Sequence, residues 1–315
     1  MIALREALSD YIAVRRALGS KLQGPAVELR HFLDFLEAEG ATFITTDRAL
    51  RWAQQPVGVR RAYWAQRLTA VRGFATWLHS FDPRTEIPPK GILSGYYRRS
   101  SPYIFTKEEI DRVMAEIDHR RSHKDLRNLT IRTILGLLAA TGLRPGEAMA
   151  LDAADVDLQN GILSIRNTKF GKSRLVPVDE STRIALSAYI RQRDQLCNLK
   201  RCGAFFIGEG GERLKAGTVR RVFGNLTRNA GLRAPAQGCK PDKGPRLMDF
   251  RHSFATTRLI EWYRGGVDVS RALPTLSTYL GHVSIAHTYW YIEAVPELLL
   301  LATEASTACQ QGGVR

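Results

Sequence analysis

The chain has 315 residues, of which 46 are lysine or arginine and 31 are aspartate or glutamate, so its formal net charge is +15. This length suits one large domain or two ordinary ones. The positive excess indicates a polyanionic partner, usually nucleic acid, with a basic enzyme unrelated to nucleic acid as the alternative.

Several features bound the cellular setting and the chemistry. No apolar run reaches the roughly 18 residues of a membrane span, and the amino terminus lacks the apolar core of a signal peptide. The four cysteines match no zinc-binding spacing, and so few in a chain of this size favour a reducing compartment. We therefore expect a cytoplasmic, nucleoid-associated protein with no membrane contact and no structural metal.

The amino-terminal region is predicted to be helical, because apolar residues recur there at helical spacing. One helix is expected to start at Thr45–Asp47. Arg60 and Arg61 are candidate DNA contacts, although a single surface arginine is more often simply solvated. The apolar series that predict these helices are Leu29, Phe32, Leu33 and Leu36, and Trp64, Leu68, Val71, Phe74 and Leu78.

Prolines, glycines and basic residues change the character of the chain after this region and indicate a linker. Arg98 and Arg99 within it are further candidates for contacts to DNA. We divide the chain into a helical domain at 1–85, a linker at 86–102 and a second domain at 103–315.

The second domain is predicted to be mainly α-helical with a small antiparallel β-sheet. A capping box formed by Thr106 and Glu109 opens its first helix, and Gly142 ends an apolar one. Two strands are expected around a polar connector at 167–173. The predicted elements are strands at 162–165 and 174–178, helices near 180–195, 216–230, 249–263, 274–281 and 284–291, and an amphipathic segment after Pro296.

Two arginines from distant parts of the chain suggest chemistry on a phosphodiester. Arg144 follows the helix end at Gly142, and Arg251 lies in the segment Asp249–Thr256. Phosphoryl transfer depends mostly on positioning and charge stabilisation. The planar guanidinium suits this role, because it stays charged and donates two parallel hydrogen bonds to one phosphate. Taken singly, these arginines are an ordinary turn residue and an ordinary helix residue.

Three segments, in order and spacing, resemble the motifs of the tyrosine recombinase (phage integrase) family. They are Thr141–Glu147, Asp249–Thr256, and Leu280–His282 followed by Tyr291 nine residues later. The likeness spans about 103–295, while residues 1–85 resemble the family's core-binding domain far more weakly. It implies a two-domain clamp on double-stranded DNA that cuts and rejoins strands through a 3′-phosphotyrosyl intermediate. It implies DNA integration or transposition for a mobile element, without a cofactor or metal.

The resemblance also implies roles for individual residues. Arg144 and Arg251 hold the phosphate, His282 hydrogen-bonds a non-bridging oxygen, and Tyr291 attacks. Tyr289 is disfavoured as the nucleophile by the nine-residue step from His282; without the motif, the aromatic cluster around these tyrosines reads as core. Glu147 is expected to orient a catalytic side chain, with a solvated carboxylate as the alternative.

In the family, a lysine on the hairpin between two strands protonates the leaving 5′-oxygen. Lys169 and Lys172 both lie in the predicted connector. Counting back from Arg174 favours Lys169 as the general acid, with Lys172 as a basic loop residue that contacts DNA. Partial burial would lower the pKa of such a lysine and make it a usable acid.

One position departs from the family pattern. A histidine usually stands three residues before the second arginine, where this chain has Met248. A thioether neither shuttles a proton nor donates to a phosphate, so we expect slower chemistry with DNA binding intact. Water, His282 and the nearby imidazole of His252 are candidates to compensate.

The resemblance implies a tetramer on two DNA sites and a monomer in the free protein, with partner recombinases as further candidates. The apolar segment Pro296–Ala302 fits either exchange between protomers or an intramolecular helix. Two rival functions stay open: a catalytically weakened DNA-binding partner of other recombinases, and a type IB topoisomerase. A nuclease would need a metal-binding carboxylate cluster, which the sequence does not display.

Overall fold

The computed structural model describes residues 4–93, 102–119, 125–166, 172–197, 202–234 and 244–312. It divides the chain into two compact units, Met1–Ser100 and Ser101–Arg315. Three of the predicted site residues, Arg98, Arg99 and Lys169, lie outside the described residues. None of the described helices is long and apolar enough to cross a membrane.

The first unit is a set of helices around an aromatic core. Its helices are α1 (Leu4–Ala17), α2 (Gln23–Ala38), α3 (Thr46–Gln54) and α4 (Arg61–His79). Phe32, Trp52 and Phe74 are fully buried at their centre. The predicted helix start is confirmed, because the Thr45 hydroxyl accepts the backbone N–H of Arg48 at 3.3 Å.

The first part of the predicted linker is fastened to this unit. The backbone N–H of Glu86 donates to the Ile44 carbonyl at 2.9 Å, and Arg72 donates to the carbonyls of Pro88 and Pro89 at 2.7 and 2.9 Å. Proline residues break helices, which is why the sequence indicated a linker here, but their carbonyls still accept hydrogen bonds.

The second unit confirms the expected fold class, mainly helical with a small antiparallel sheet. The strands follow the order β1-β2-β3, and Ile165 of β2 pairs with Arg174 of β3. Its elements are α5 (Lys107–His119), α6 (Leu126–Thr141), α7 (Pro145–Ala150), β1 (Val156–Asp157), β2 (Ile162–Ile165), β3 (Arg174–Pro177), α8 (Glu180–Leu196), α9 (Ala216–Asn229), α10 (Asp249–Arg264), α11 (Val269–Leu280), α12 (Ala286–Ala294) and α13 (Pro296–Gly312).

Two predicted helix ends are confirmed by their capping contacts. Thr106 and Glu109 exchange backbone and side-chain hydrogen bonds at 3.1 and 3.2 Å in front of α5. Gly142 ends α6 in the left-handed region, at φ +60°. A Cβ at Gly142 would lie 2.5 Å from a ring carbon of Phe254, so both backbone and space demand glycine there.

Helix α11 starts earlier than predicted. The sequence suggested a start at Pro274, yet the helix begins at Val269, because the Asp268 carboxylate accepts the backbone N–H of Arg271 at 3.2 Å. Pro274 lies inside the helix. The sequence does not predict two short elements, α7 and β1, because six and two residues carry too little periodicity.

The last helix, α13, packs within the second unit. Leu298 is fully buried in the same apolar cluster as Tyr291, whereas Leu299 and Leu300 are exposed. In the structure this segment packs as a helix within its own chain, which is one of the two arrangements considered for Pro296–Ala302 from the sequence.

Candidate active site

Backbone carbonyls at two helix ends hold the two motif arginines side by side. Arg251 donates from Nη1 to Gly142 O at 3.1 Å, beyond the end of α6, and from Nη2 to Leu280 O at 2.6 Å, the last residue of α11. Arg144 donates from Nη2 to the next carbonyl, that of Gly281, at 3.1 Å. Adjacent carbonyls thus fix two guanidiniums from residues that lie far apart in the sequence.

Arg251 is a buried cation, with only 2% of its surface exposed. Burial, and next the charge of Arg144, lowers the pKa of Arg251 to about 10, while Tyr291 and Glu147 act in the opposite direction. The side chain therefore stays charged at neutral pH. A positive charge in such low-dielectric surroundings attracts an anion more strongly than the same charge in water.

Glu147 connects Arg144 to a further arginine, Arg174. The Glu147 carboxylate accepts Arg144 Nη1 at 2.7 Å and a forked pair from Arg174, Nη1 at 3.2 Å and Nη2 at 2.7 Å. Burial alone would raise the pKa of Glu147, but the bonds and charges of Arg174 and then Arg144 outweigh it and lower that pKa. Glu147 is thus an ionised carboxylate that contacts one motif arginine, as an orienting residue would.

Arg174 was not among the site residues predicted from the sequence. It is the first residue of β3, and its Nε donates to Tyr279 O at 2.9 Å. A signal was present: alternate residues of a strand share a face, and Arg174 stands two residues before Val176, which is fully buried. A charged residue on the buried face of a strand needs a partner, and here the partner is Glu147.

Tyr291 lies on α12 and is 2% exposed, whereas Tyr289, two residues earlier, is 45% exposed. The Tyr291 ring is 5.4 Å from that of Trp290 and 5.5 Å from that of His252, between centroids. His282 stacks on it at 6.2 Å. Tyr291 acts against the lowering of the Arg251 pKa, which is consistent with a phenol near that guanidinium.

His282 follows the end of α11 and is held by a hydroxyl. Its Nδ1 lies 2.7 Å from Thr288 Oγ1, while its backbone N–H donates to Ser277 O at 2.9 Å. A hydrogen bond at Nδ1 fixes the ring orientation and leaves Nε2 as the other polar edge. The turn that brings it there depends on Gly281, at φ +67°.

The remaining predicted contacts lie on the surface of their units. Arg60 and Arg61, at the start of α4 in the first unit, are exposed, and Lys172 is exposed just before β3 in the second. No group of three histidine, cysteine, aspartate or glutamate side chains suited to a metal ion occurs within the part of the chain that the structure describes.

The chain is similar in sequence to proteins of a known family. Its sequence matches the phage integrase family over residues 104–297, more than half of its length. The chain belongs to that family of tyrosine recombinases. A protein named as an integrase/recombinase, y4rB of Sinorhizobium fredii, is 44% identical over 303 residues, 95% of each chain. The tyrosine recombinase XerC of Mycobacterium sp. strain JLS is 29% identical over 305 residues, 92% of this chain and 94% of that protein.

Solved recombinases share the fold of this recombinase. The Tn1549 transposon integrase, in complex with transposon right end DNA, superposes with a TM-score of 0.66 at 16% identity, covering 98% of this chain and 99% of that one. A lambda integrase dimer bound to a core site gives 0.59 at 16% identity, covering 90% and 96%. At these identities the likeness concerns the fold alone.

Met248 occupies the position at which the resemblance to the family predicts a histidine. It immediately precedes α10 and is 37% exposed, so its thioether is not part of the buried core. His252, one turn later, is buried, with Nε2 4.0 Å from Asp249 Oδ1. The imidazole nearest to Tyr291 along α10 is therefore His252, on the buried side of the helix.

Proposed function

We propose that this recombinase cuts and rejoins duplex DNA through Tyr291. The Tyr291 oxygen attacks the phosphorus, the bond to the 5′-oxygen breaks, and a 3′-phosphotyrosyl link forms with release of a 5′-hydroxyl. The observation that supports this most is the meeting of Arg144, Arg251, His282 and Tyr291 in one unit, from three separate sequence motifs. The covalent link conserves the bond energy, so rejoining needs no nucleotide cofactor.

In this proposal the arginines neutralise the two non-bridging oxygens, where negative charge grows as the tyrosine attacks. His282 donates a hydrogen bond to one of them. The phenol loses its proton as the bond forms, and the leaving 5′-oxygen gains one from Lys169 or, as the alternative, Lys172. With methionine at 248, proton removal from Tyr291 relies on water or on His252.

The partner we propose is double-stranded DNA, bound mostly through its phosphates. The net charge of +15 supports this, and so do the solved relatives, which are described in complex with DNA. The first unit acts as a core-binding domain, with Arg60 and Arg61 near the DNA phosphates, and the second is catalytic. Arg98 and Arg99 of the predicted linker are further candidate contacts. Binding should therefore weaken steeply with salt.

Strand exchange between two duplexes requires four cuts, so we propose a tetramer on two DNA sites that assembles from monomers. Other recombinases are candidate partners in a mixed complex. The biological reaction is integration or transposition of a mobile element, carried out in the cytoplasm at the nucleoid.

A covalent-trapping assay tests the proposal. Nicked suicide duplexes spanning the DNA that flanks the gene are incubated with protein and separated on a denaturing gel. The wild type should form a protein–DNA adduct, and Tyr291→Phe should form none. Tyr289→Phe is the matched control, because it removes the same hydroxyl from an exposed tyrosine two residues before Tyr291. This variant should still form the adduct.

The same assay separates an active enzyme from a silenced DNA-binding partner. Met248 is exposed, so histidine fits there without repacking, and Met248→Gln controls for polarity without a titratable ring. A general acid–base group contributes about 10²- to 10⁴-fold, so Met248→His should accelerate cleavage if the rest of the site is intact. If Met248→His forms an adduct and the wild type forms none, the wild type is a catalytically silenced DNA-binding partner. Relaxation of supercoiled plasmid without a defined site would instead support a type IB topoisomerase.

A further inference from the structure

We propose that Arg174 is a positioning residue that supplies the counter-charge of Glu147, so that Glu147 orients Arg144 without neutralising it. The inference rests on the proposed function, because it concerns how the site acquires enough positive charge to bind a reacting phosphate.

The contacts give Arg174 the larger share of the carboxylate. The Arg174 guanidinium binds both oxygens of Glu147, whereas the Arg144 guanidinium binds Oε1 alone and its backbone N–H donates to Oε2 at 3.2 Å. The Arg174 and Glu147 side chains are only 12% and 8% exposed, while that of Arg144 is 34% exposed. The buried, forked pair is therefore between Glu147 and Arg174, and Arg144 is the more exposed of the two arginines that bind Glu147.

The charges of the cluster match those of the reaction only if Arg174 is counted. Arg144 and Arg174 pair with Glu147, while Arg251 donates to the carbonyls of Gly142 and Leu280, so these four side chains carry two net positive charges. A phosphodiester carries one negative charge, and attack by a phenolate raises this to two in the five-coordinate state. Fixed charges that match the developing charge contribute most to catalysis. Without Arg174, Glu147 would neutralise Arg144, and the cluster would carry only one net positive charge.

The shape of the guanidinium explains why arginine is needed at 174. Its two Nη atoms reach the carboxylate while Nε bonds Tyr279 O at 2.9 Å, so a single side chain ties β3 to α7 and α11. It also lies against Gly281, where a Cβ would stand 2.8 Å from Nη1. The single ammonium of lysine keeps the charge but not this fork.

Four variants test the inference by single-turnover cleavage of the suicide duplex: Arg174→Gln, Arg174→Lys, Glu147→Gln and the double variant Arg174→Gln/Glu147→Gln. Arg193→Gln is the matched control, because Arg193 is a buried arginine of the same unit that bonds a carboxylate, Asp194, and a carbonyl, that of Phe205, outside the site. Each protein is also measured on a duplex with a methylphosphonate at the scissile position, which removes one negative charge. Cleaved strand and adduct are counted together.

We expect Arg174→Gln to slow phosphodiester cleavage about 10- to 100-fold, with Arg174→Lys between it and the wild type. The double variant should cleave faster than Arg174→Gln, because removing Glu147 restores two net positive charges. On the methylphosphonate the deficit of Arg174→Gln should shrink. Arg193→Gln should lower the unfolding temperature and leave both rates of the folded protein unchanged.

Several outcomes would overturn the inference. Equal deficits of Arg174→Gln on both substrates, or a double variant slower than Arg174→Gln, would give Arg174 a structural role only. If Arg174→Gln cleaved at the wild-type rate, Arg174 would have no role in the reaction. Failure of the proposed function looks different, because then the wild type itself forms no adduct on any duplex.

Discussion

Arg67 in the first unit and Arg251 in the second are both buried, yet their charges meet different surroundings. The Arg67 guanidinium lies 3.8 Å from the ring centre of Trp52, and its Nε is 3.6 Å from a Glu28 oxygen. Burial lowers the pKa of Arg67, and Glu28 acts against that shift. An aromatic face and a carboxylate thus compensate this cation within the core.

Arg251 meets neutral acceptors and a like charge instead. Its hydrogen bonds go to the carbonyls of Gly142 and Leu280, and after burial the largest influence on its pKa is Arg144, which lowers it further. A hydrophobic core gains nothing from a buried cation that is bonded only to carbonyls and lies beside a second guanidinium. Compensated charge indicates a structural role, and uncompensated charge indicates a place for an anion.

The largest effect that tests this difference is expected from Arg251→Gln. Loss of a preorganised donor to a developing negative charge costs about 10²- to 10³-fold in rate, and adduct formation in the suicide-duplex assay should fall by that factor. Glutamine can still donate to one of the two carbonyls, so the unfolding temperature should change little.

The control for this variant lies on the same helix. Arg258 of α10 is exposed and pairs with Glu261 at 2.9 Å, so Arg258→Gln should leave adduct formation unchanged. An Arg251→Gln protein that cleaves as fast as Arg258→Gln would place the phosphate elsewhere and remove the contrast between Arg67 and Arg251.

A feature could be predicted from the sequence when the residues that form it are close together along the chain. The end of α6 at Gly142 and the capping box before α5 follow from local signals, and both were predictable. Arg174 was missed, because its partners Glu147 and Tyr279 stand 27 and 105 residues away along the chain. The helix predicted near 274–281 in fact starts at Val269, because Asp268 caps it there and Pro274 is accommodated inside it.

A smaller effect, on stability alone, is expected from Arg67→Ala. The change removes a side chain packed on Trp52 and leaves Glu28 without its cation, which together should lower the free energy of unfolding by about 2 to 4 kcal/mol. Urea unfolding followed by tryptophan fluorescence measures this. Cleavage by the folded protein, assayed well below the transition, should equal that of the wild type; a slower rate would mean that Arg67 also serves the reaction.

The smallest expected effect is binding of inorganic phosphate to the free protein. If Arg144 and Arg251 hold an anion site, phosphate at about ten times its dissociation constant should stabilise the wild type by about 1.4 kcal/mol, seen as a rise in unfolding temperature over sodium chloride of equal ionic strength. Phosphate also stabilises proteins by exclusion from their surfaces, but that contribution is common to all variants. The rise should therefore be smaller in Arg251→Gln and undiminished in Arg67→Ala, whose lost cation was already compensated. Equal rises in all three proteins would mean that the arginine cluster binds no anion before DNA arrives, and the uncompensated charge of Arg251 would then need another explanation.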